Sequence, residues 1–317
     1  MAVPPQLSAS LIVTAPMVGR SVTGTHNYRV LMVQRVSKSG SFDGAHVFPG
    51  GVLEKKDYEA APDGHPELPH KLCAARETLE ETGLLFTKPP AIRRWWARDA
   101  IAGLRGKTIQ EVCVEASTRP ADLQLFARWI TPRAQKWWRF DTRFYMLNIA
   151  DDDRFLLDQL ERKTLVQTRE LVEMSWSSPA DLLLANMRGE LPLFPPQFAI
   201  LHEISKYRRW QDLLALGVSQ CEEESDVVES NPIEPLLCSR SDGVVVALLP
   251  GDRAYSPDSA KSVADAELFC QGSAERGLRR LYMNRRAGGG GYDAISLVQT
   301  PDTMGSAPAF PAGPPRL

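Results

Sequence analysis

The chain has 317 residues, with 37 Lys and Arg against 39 Asp and Glu, so its formal net charge at pH 7 is −2. This balance lacks the basic excess that a nucleic-acid coat or a polybasic membrane anchor needs, so we expect neither. The sequence contains no apolar run near the roughly 20 residues of a membrane-spanning helix. Its five cysteines are odd in number and lack close pairs, which is typical of a reducing compartment.

Strands and helices alternate along the chain, which predicts an α/β fold. A polar, proline-bearing loop is expected at 58–71, because it holds three prolines. A helix is predicted over 72–82 and ends at Gly83, a residue that favours the left-handed conformation of a helix C-terminus. A mainly helical insertion is expected at about 91–127. Apolar, β-branched runs predict strands at 11–13, 28–34, 140–149 and 171–176.

The proline pair 195–196 predicts a boundary in the chain. We expect residues 1–195 to form the main domain and residues 196–300 to form a C-terminal α/β extension. The extension begins with an amphipathic helix that could not bury its apolar face alone, so we expect it to pack on the main domain. Residues 301–317 hold five prolines and two glycines, which predicts a disordered tail.

Three glutamates give the strongest indication of chemistry. Glu77, Glu80 and Glu81 stand at positions i, i+3 and i+4 of the predicted helix, so their side chains share one face. Like charges there repel, and a hard divalent cation with oxygen ligands would relieve the repulsion. A solvated acidic face is the alternative for this segment taken alone.

The glutamates stand downstream of a tight turn, Phe48-Pro49-Gly50-Gly51, and together they resemble the box of the Nudix hydrolases. The second half of the box fits from Arg76 to Leu84, and the first half fits at Gly51. Asp57 stands where the family has Glu, and 18 residues instead of seven separate it from Arg76. The box therefore spans 51–84 and contains the loop at 58–71 as an insert.

The resemblance implies a mixed β-sheet between helices (an α/β/α sandwich) and a metal-dependent hydrolase. It implies that Glu77, Glu80 and Glu81 ligate Mg²⁺ or Mn²⁺, and that Arg76 orients a carboxylate. Gly50 and Gly51 would lie beside the diphosphate of the substrate. The general base varies in the family, and the candidates are Glu77, Glu81 and, before a Trp-bearing strand, Glu170.

A second pattern narrows the substrate. Arg35, Gly44 and the Phe-Pro-Gly-Gly turn fit the spacing of the coenzyme A signature, although Val36 and Gly40 depart from it. Further segments are similar to the motif-19 subfamily, the peroxisomal acyl-coenzyme A diphosphatases. This resemblance implies hydrolysis of coenzyme A or acyl-coenzyme A to adenosine 3′,5′-bisphosphate and (acyl-)4′-phosphopantetheine. Two alternatives stay open: hydrolysis of another nucleoside diphosphate derivative (a sugar, a dinucleotide or an RNA cap), and a Nudix module that binds without turnover.

A basic segment, 128–143, holds five basic residues against one acid, Asp141. It is a candidate site for the phosphates of coenzyme A, with Arg139 as a substrate contact, or else a solvated basic face. The last three residues, Pro315-Arg316-Leu317, resemble a peroxisomal address in their final two positions. We therefore expect a peroxisomal protein, with cytosol or mitochondrion as the alternatives. The sequence indicates no oligomeric state.

Overall fold

The computed structural model describes most of the two expected regions, and the elements below are those of its described residues. These residues are 3–17, 22–35, 44–61, 65–88, 91–95, 103, 106–135, 138–149, 171–214, 232–256, 268, 277–285 and 291–299. The helices are α1 (Lys55–Glu59), α2 (Leu68–Thr82), α3 (Ile109–Glu115), α4 (Pro179–Met187) and α5 (Pro195–Ile204). The strands are β1 (Gln6–Pro16), β2 (Tyr28–Arg35), β3 (His46–Val47), β4 (Gly50–Val52), β5 (Leu84–Thr87), β6 (Ala91–Trp95), β7 (Gln124–Ile130), β8 (Phe140–Asn148), β9 (Leu171–Ser177), β10 (Leu236–Ser239), β11 (Val245–Leu248), β12 (Arg279–Arg285) and β13 (Tyr292–Gln299).

A seven-stranded mixed sheet lies at the centre, in the order β3-β2-β1-β8-β7, with β4 paired to β1 and β9 paired to β2. β1 runs parallel to β8 along the whole length of β8, which gives the sheet its mixed character. On its other edge, β1 pairs first with β4 and then with β2. The end of β2 pairs with β3 and not with β1, because β1 and β2 separate there. The turn at Phe48-Pro49 crosses that gap, since it connects β3 on β2 to β4 on β1. Leu11 N–H donates to the Pro49 carbonyl at 2.9 Å and fixes that turn.

The two faces of the sheet are covered differently, because successive side chains of β1 point to opposite faces. One face carries Ala9, Leu11 and Val13 and packs on α2 through the buried Cys73 and Ala74. The opposite face carries Ile12 of β1 and packs on α5 within a cluster that also includes residues of β11 to β13. This arrangement of helices on a mixed sheet is the Nudix fold expected from the sequence.

Helix α2 begins earlier than the sequence predicted. It starts at Leu68 with Pro69 in its first turn, where the missing N–H of proline has no helical partner to lose. Residues 55–59 are also helical, so the loop expected at 58–71 is wrong at both ends. The predicted end is confirmed: Gly83 has a φ of 74° and its N–H donates to the carbonyl of Leu79 at 2.8 Å.

The mainly helical insertion expected at about 91–127 is also wrong. Residues 91–95 form a strand that pairs antiparallel with β5, and β7 begins at Gln124. Between them the described residues contain one short helix, α3, capped by Thr108. Its few apolar residues, Ile109, Val112 and Cys113, pack against the outer side of α2.

The C-terminal region contributes a four-stranded antiparallel sheet, β10-β11-β12-β13. The C-terminal region contacts the main domain at several points. Asn186 of α4 is fully buried, and its side chain donates to the carbonyl of Tyr292 and accepts from Ile295 N–H. Ile233 forms a bridge with Trp129 of β7. The tail predicted at 301–317 lies outside the described residues. Within the described ranges, no helix is long and apolar enough to cross a membrane.

Candidate active site

The glycine turn and the glutamate helix meet across the sheet edge. Gly51 lies opposite Ala9 of β1, on the face covered by α2. A Cβ atom added at Gly51 would lie 2.4 Å from Cδ of Glu77, well inside van der Waals contact. Glycine at this position therefore leaves the space in which the carboxylate of Glu77 lies.

The other two glutamates are held by different groups. Gly50 N–H donates to Oε2 of Glu81 at 3.0 Å, which ties the second glutamate to the same turn. Lys56 donates from Nζ to Oε1 of Glu80 at 3.2 Å. The structure thus brings together the residues that the sequence placed at the box: Gly50, Gly51, Arg76, Glu77, Glu80 and Glu81.

Arg76 is fixed by Asp57, the residue that departs from the family pattern. Its Nε and Nη2 donate to the two carboxylate oxygens of Asp57 at 2.9 and 2.8 Å, and both side chains are 3% exposed. Its Nη1 donates to Oε1 of Glu77 at 2.8 Å. Asp57 also accepts from Glu54 N–H at 2.9 Å, which caps α1. The shorter acid reaches Arg76 because α1 carries it to the helix, so Arg76 holds the carboxylate of Glu77 in place.

Burial raises the pKa of Glu77, while the charge of Arg76 and its hydrogen bond oppose that rise. Burial alone would lower the pKa of Arg76, but the hydrogen bonds that it donates to Asp57 and the charge of Glu77 raise it, so the guanidinium stays charged. Glu77 is therefore a partly desolvated carboxylate with one fixed cationic partner. Such a group gains from any additional positive charge placed beside it.

The donor set suits a hard divalent cation. Five acids lie in this cluster against two basic side chains, Arg76 and Lys56, and carboxylate oxygens are the ligands that Mg²⁺ and Mn²⁺ prefer. Glu77, Glu80 and Glu81 could supply them. Among the described residues, no three His, Cys, Asp or Glu side chains already lie in a metal-binding arrangement. At least one of the glutamates must therefore change partner when a metal binds. The five acids are Glu54, Asp57, Glu77, Glu80 and Glu81.

Sequence reasoning missed Lys56 and Glu54 as members of this cluster. Lys56 Nζ lies 3.2 Å from Oε2 of Glu54 as well as 3.2 Å from Oε1 of Glu80. Both residues stand within the box, between Gly51 and Asp57, but the box pattern leaves their positions open. The one signal is the run of charged residues just before Asp57, Glu54-Lys55-Lys56.

Two residues of the coenzyme A signature precede the Phe48-Pro49 turn, one at the end of β2 and one just before β3. Gly44 precedes β3, has a φ of 77°, and accepts from Nε2 of Gln34 through its carbonyl. Arg35 ends β2 opposite Leu171, the first residue of β9. Glu170 and the side chain of Arg35 lie outside what the structure describes, so their predicted roles stay predictions.

The described arginines of the basic segment 128–143 are paired with acids. Arg139 is 7% exposed and donates to Oε1 of Glu234 at 2.7 Å and to the carbonyls of Thr131 and Val3. The other three described arginines pair with acids as well: Arg128 with Asp141, Arg133 with Glu234, and Arg143 with Glu67. Arg139 thus contacts the C-terminal region through Glu234, and its predicted contact with the substrate stays a prediction.

Comparison with known proteins agrees with this geometry. The sequence model of the NUDT19 Nudix domain matches residues 62–205, which include all of α2. The chain is 27% identical over 315 residues to acyl-coenzyme A diphosphatase NUDT19 of Gallus gallus, covering 79% of this chain and 80% of that protein. It is 27% identical over 290 residues to acyl-coenzyme A diphosphatase NUDT19 of Homo sapiens, covering 73% of each.

A solved structure shares the fold. The NUDIX hydrolase from Alicyclobacillus acidocaldarius superposes with a TM-score of 0.51 at 23% identity, over 67% of this chain and 96% of that chain. Its likeness covers the sheet-and-helix architecture, and the family match covers the helix that carries the glutamates. The chain therefore has the Nudix fold, and its sequence resembles the NUDT19 proteins.

Proposed function

We propose that this chain hydrolyses the diphosphate bond of coenzyme A or acyl-coenzyme A in a metal-dependent reaction. The products would be adenosine 3′,5′-bisphosphate and (acyl-)4′-phosphopantetheine. The observation that carries the hydrolytic part is the junction of Gly51 with Glu77, which holds a partly buried carboxylate against a glycine turn. The substrate part is supported by the names of the relatives and by the signature at Arg35, Gly44 and the turn.

The site offers what a diphosphate hydrolase needs. Glu77, Glu80 and Glu81 would hold Mg²⁺ or Mn²⁺, which would neutralise the diphosphate oxygens and lower the pKa of the attacking water. Arg76, fixed by Asp57, orients Glu77, and Gly50 N–H orients Glu81.

A carboxylate must also accept the proton of the attacking water. Glu77, Glu81 and Glu170 are the candidates for this base. Burial raises the pKa of Glu77, which is the direction that makes a carboxylate a better proton acceptor near neutral pH. The assignment among the three is tested by replacing each with Gln and comparing kcat.

Metal-dependent product release tests the proposal. Purified protein would be incubated with acyl-coenzyme A and Mg²⁺, and adenosine 3′,5′-bisphosphate would be measured by chromatography. We expect E77Q to lower the rate by at least about 100-fold, and E115Q, in an exposed glutamate of α3 paired with Lys107, to leave it unchanged. Absent release would contradict the proposal and favour a module that binds without turnover. Release that is equal in E77Q would contradict the role of Glu77 in the reaction.

Two observations favour a second candidate. Val36 and Gly40 depart from the coenzyme A signature, and Arg139 is occupied by Glu234. Both remove expected phosphate contacts, so another nucleoside diphosphate derivative is the alternative substrate of the same site.

We also propose a peroxisomal location, with cytosol or mitochondrion as alternatives. The support is the tripeptide Pro315-Arg316-Leu317, which lies outside the described residues. A fluorescent fusion with these residues at its free C-terminus should reach peroxisomes, and the same fusion without them should not. An unchanged distribution would contradict the address.

A further inference from the structure

Two adjacent lysines of α1 have opposite surroundings. The side chain of Lys55 is 88% exposed and pairs with Glu59, one helical turn away. The side chain of Lys56 is 17% exposed, and its Nζ lies 3.2 Å from a carboxylate oxygen of Glu54 and of Glu80. Lys56 thus occupies the space between two carboxylates of the candidate site, while Lys55 points into solvent.

The two basic side chains of the cluster differ in how firmly they are held. Arg76 is forked onto the buried carboxylate of Asp57 and also donates to the carbonyl of Val52 at 3.2 Å. Removing it would strand a buried charge, which is strongly unfavourable. Lys56 carries a compact ammonium on a flexible stem. Its two partners, Glu54 and Glu80, are 54% and 35% exposed, so they can be resolvated when it leaves.

Nη1 of Arg76 also lies 3.6 Å from Oε1 of Glu80, but Arg76 is held by Asp57. We propose that Lys56 is the displaceable counter-cation of Glu80 and that it limits the affinity of this site for divalent metal. In the absence of metal its ammonium reduces the repulsion among the carboxylates of the cluster. A metal that takes Glu80 displaces Nζ from it, and the lost ion pair weakens binding. Lys56 is a positioning residue in this account. The inference rests on the proposed function, because it takes Glu80 as a metal ligand.

The chain offers a matched control for the test. K56M and K55M remove one positive charge from neighbouring positions of the same helix, so the net charge of the two variants is equal. The affinity for Mn²⁺ alone would be measured by electron paramagnetic resonance or calorimetry on the full chain. We expect K56M to bind Mn²⁺ about three- to tenfold more tightly than K55M, the size that two partly exposed ion pairs give. K56R keeps the charge, so we expect its affinity to stay near that of the unmodified chain.

The outcomes separate this inference from the proposed function. Equal or weaker Mn²⁺ binding by K56M than by K55M would overturn the role of Lys56, provided that E77Q still weakens binding in the same assay. Mn²⁺ binding that is absent from the unmodified chain, or insensitive to E77Q, would instead remove the metal site and the proposed function with it, and the role of Lys56 would fall too.

A second measurement needs no variant and so does not depend on a mutant's folding. Lysine amines of the unmodified protein would be acetylated with an amine-reactive ester, with and without Mn²⁺, and quantified by mass spectrometry. Release of Nζ from Glu80 should raise the modification of Lys56 several-fold, while Lys55 serves as the internal reference and stays constant. No change at Lys56, or a decrease, would overturn the inference.

Discussion

Adding one methyl group at Gly51 should displace the carboxylate of Glu77. An alanine Cβ at this position would lie 2.4 Å from Cδ, 2.5 Å from Oε1 and 2.8 Å from Oε2 of Glu77. Ordinary carbon–carbon contact begins near 3.5 Å, so the carboxylate must move by roughly 1 Å. The φ angle of Gly51 lies outside the left-handed region, so alanine meets no backbone strain there. The substitution therefore tests the position of Glu77 almost alone.

A displacement of this size has a large effect on rate and a smaller one on stability. Misplacing a catalytic group by 1 Å costs on the order of 100-fold in rate. Glu77 would also lose much of its hydrogen bond from Arg76, a contact to a charged group worth about 1.5–3 kcal/mol. Arg76 keeps its fork on Asp57, so the fold should survive.

The assay compares G51A with the unmodified chain in kcat, in Mn²⁺ affinity and in urea denaturation. G50A is the contrasting variant, because its Cβ would lie 2.4 Å from the backbone oxygen of Ala9 and 2.6 Å from Cα of Ser10. Main-chain atoms cannot rotate away, so G50A should lose more stability than G51A. A folded G51A protein that keeps its kcat and metal affinity within about threefold would refute the placement of Glu77 as a catalytic and metal-binding group.

Three further changes test the surroundings of the site. D57N removes the buried carboxylate that accepts two hydrogen bonds from the guanidinium of Arg76 and should lower the free energy of unfolding by about 3–5 kcal/mol in urea; unchanged stability would contradict the fork. Burial, with the charge of Arg143, lowers the pKa of His70 to about 4, below the value near 6.5 of an unfolded chain. As the pH falls, the imidazole is protonated in the unfolded chain before it is protonated in the folded one. The free energy of unfolding should therefore fall by about 2 kcal/mol from pH 7 to pH 5. H70Q should lack that part of the loss, and an identical pH dependence in H70Q would be the contrary result. N186A removes the buried hydrogen bonds between α4 and β13, so limited proteolysis should release C-terminal fragments faster; an unchanged rate would show that the two sheets are joined by other contacts.

The core of the site could be predicted because its parts are close in sequence and follow local rules. The spacing of Glu77, Glu80 and Glu81 requires only a helix to bring them to one face. Gly83 ends that helix by its own conformational preference. Local rules also explain why the loop predicted at 58–71 extends too far. A proline count assigns Pro69 to that loop, although proline is well suited to the first turn of a helix.

The partners of the basic segment could not be predicted, because they come from distant parts of the chain. Arg139 pairs with Glu234, 95 residues away, and Arg143 pairs with Glu67, the residue that precedes α2. A count of the charged residues within the segment includes the arginines but not the distant acids that pair with them. The segment predicted to hold phosphates is therefore part of the internal framework that joins β8 to α2 and to the C-terminal region.

The central claim concerns the substrate, and a single comparison of kcat/KM tests it most directly. The full chain, with Mg²⁺ fixed, would be given acyl-coenzyme A, coenzyme A, a nucleoside diphosphate sugar, a dinucleotide and capped RNA in parallel. We expect acyl-coenzyme A or coenzyme A to exceed each of the others by at least about tenfold, which corresponds to about 1.4 kcal/mol of transition-state binding. A higher kcat/KM for any of the other substrates, or no turnover of any coenzyme A derivative, would contradict the account.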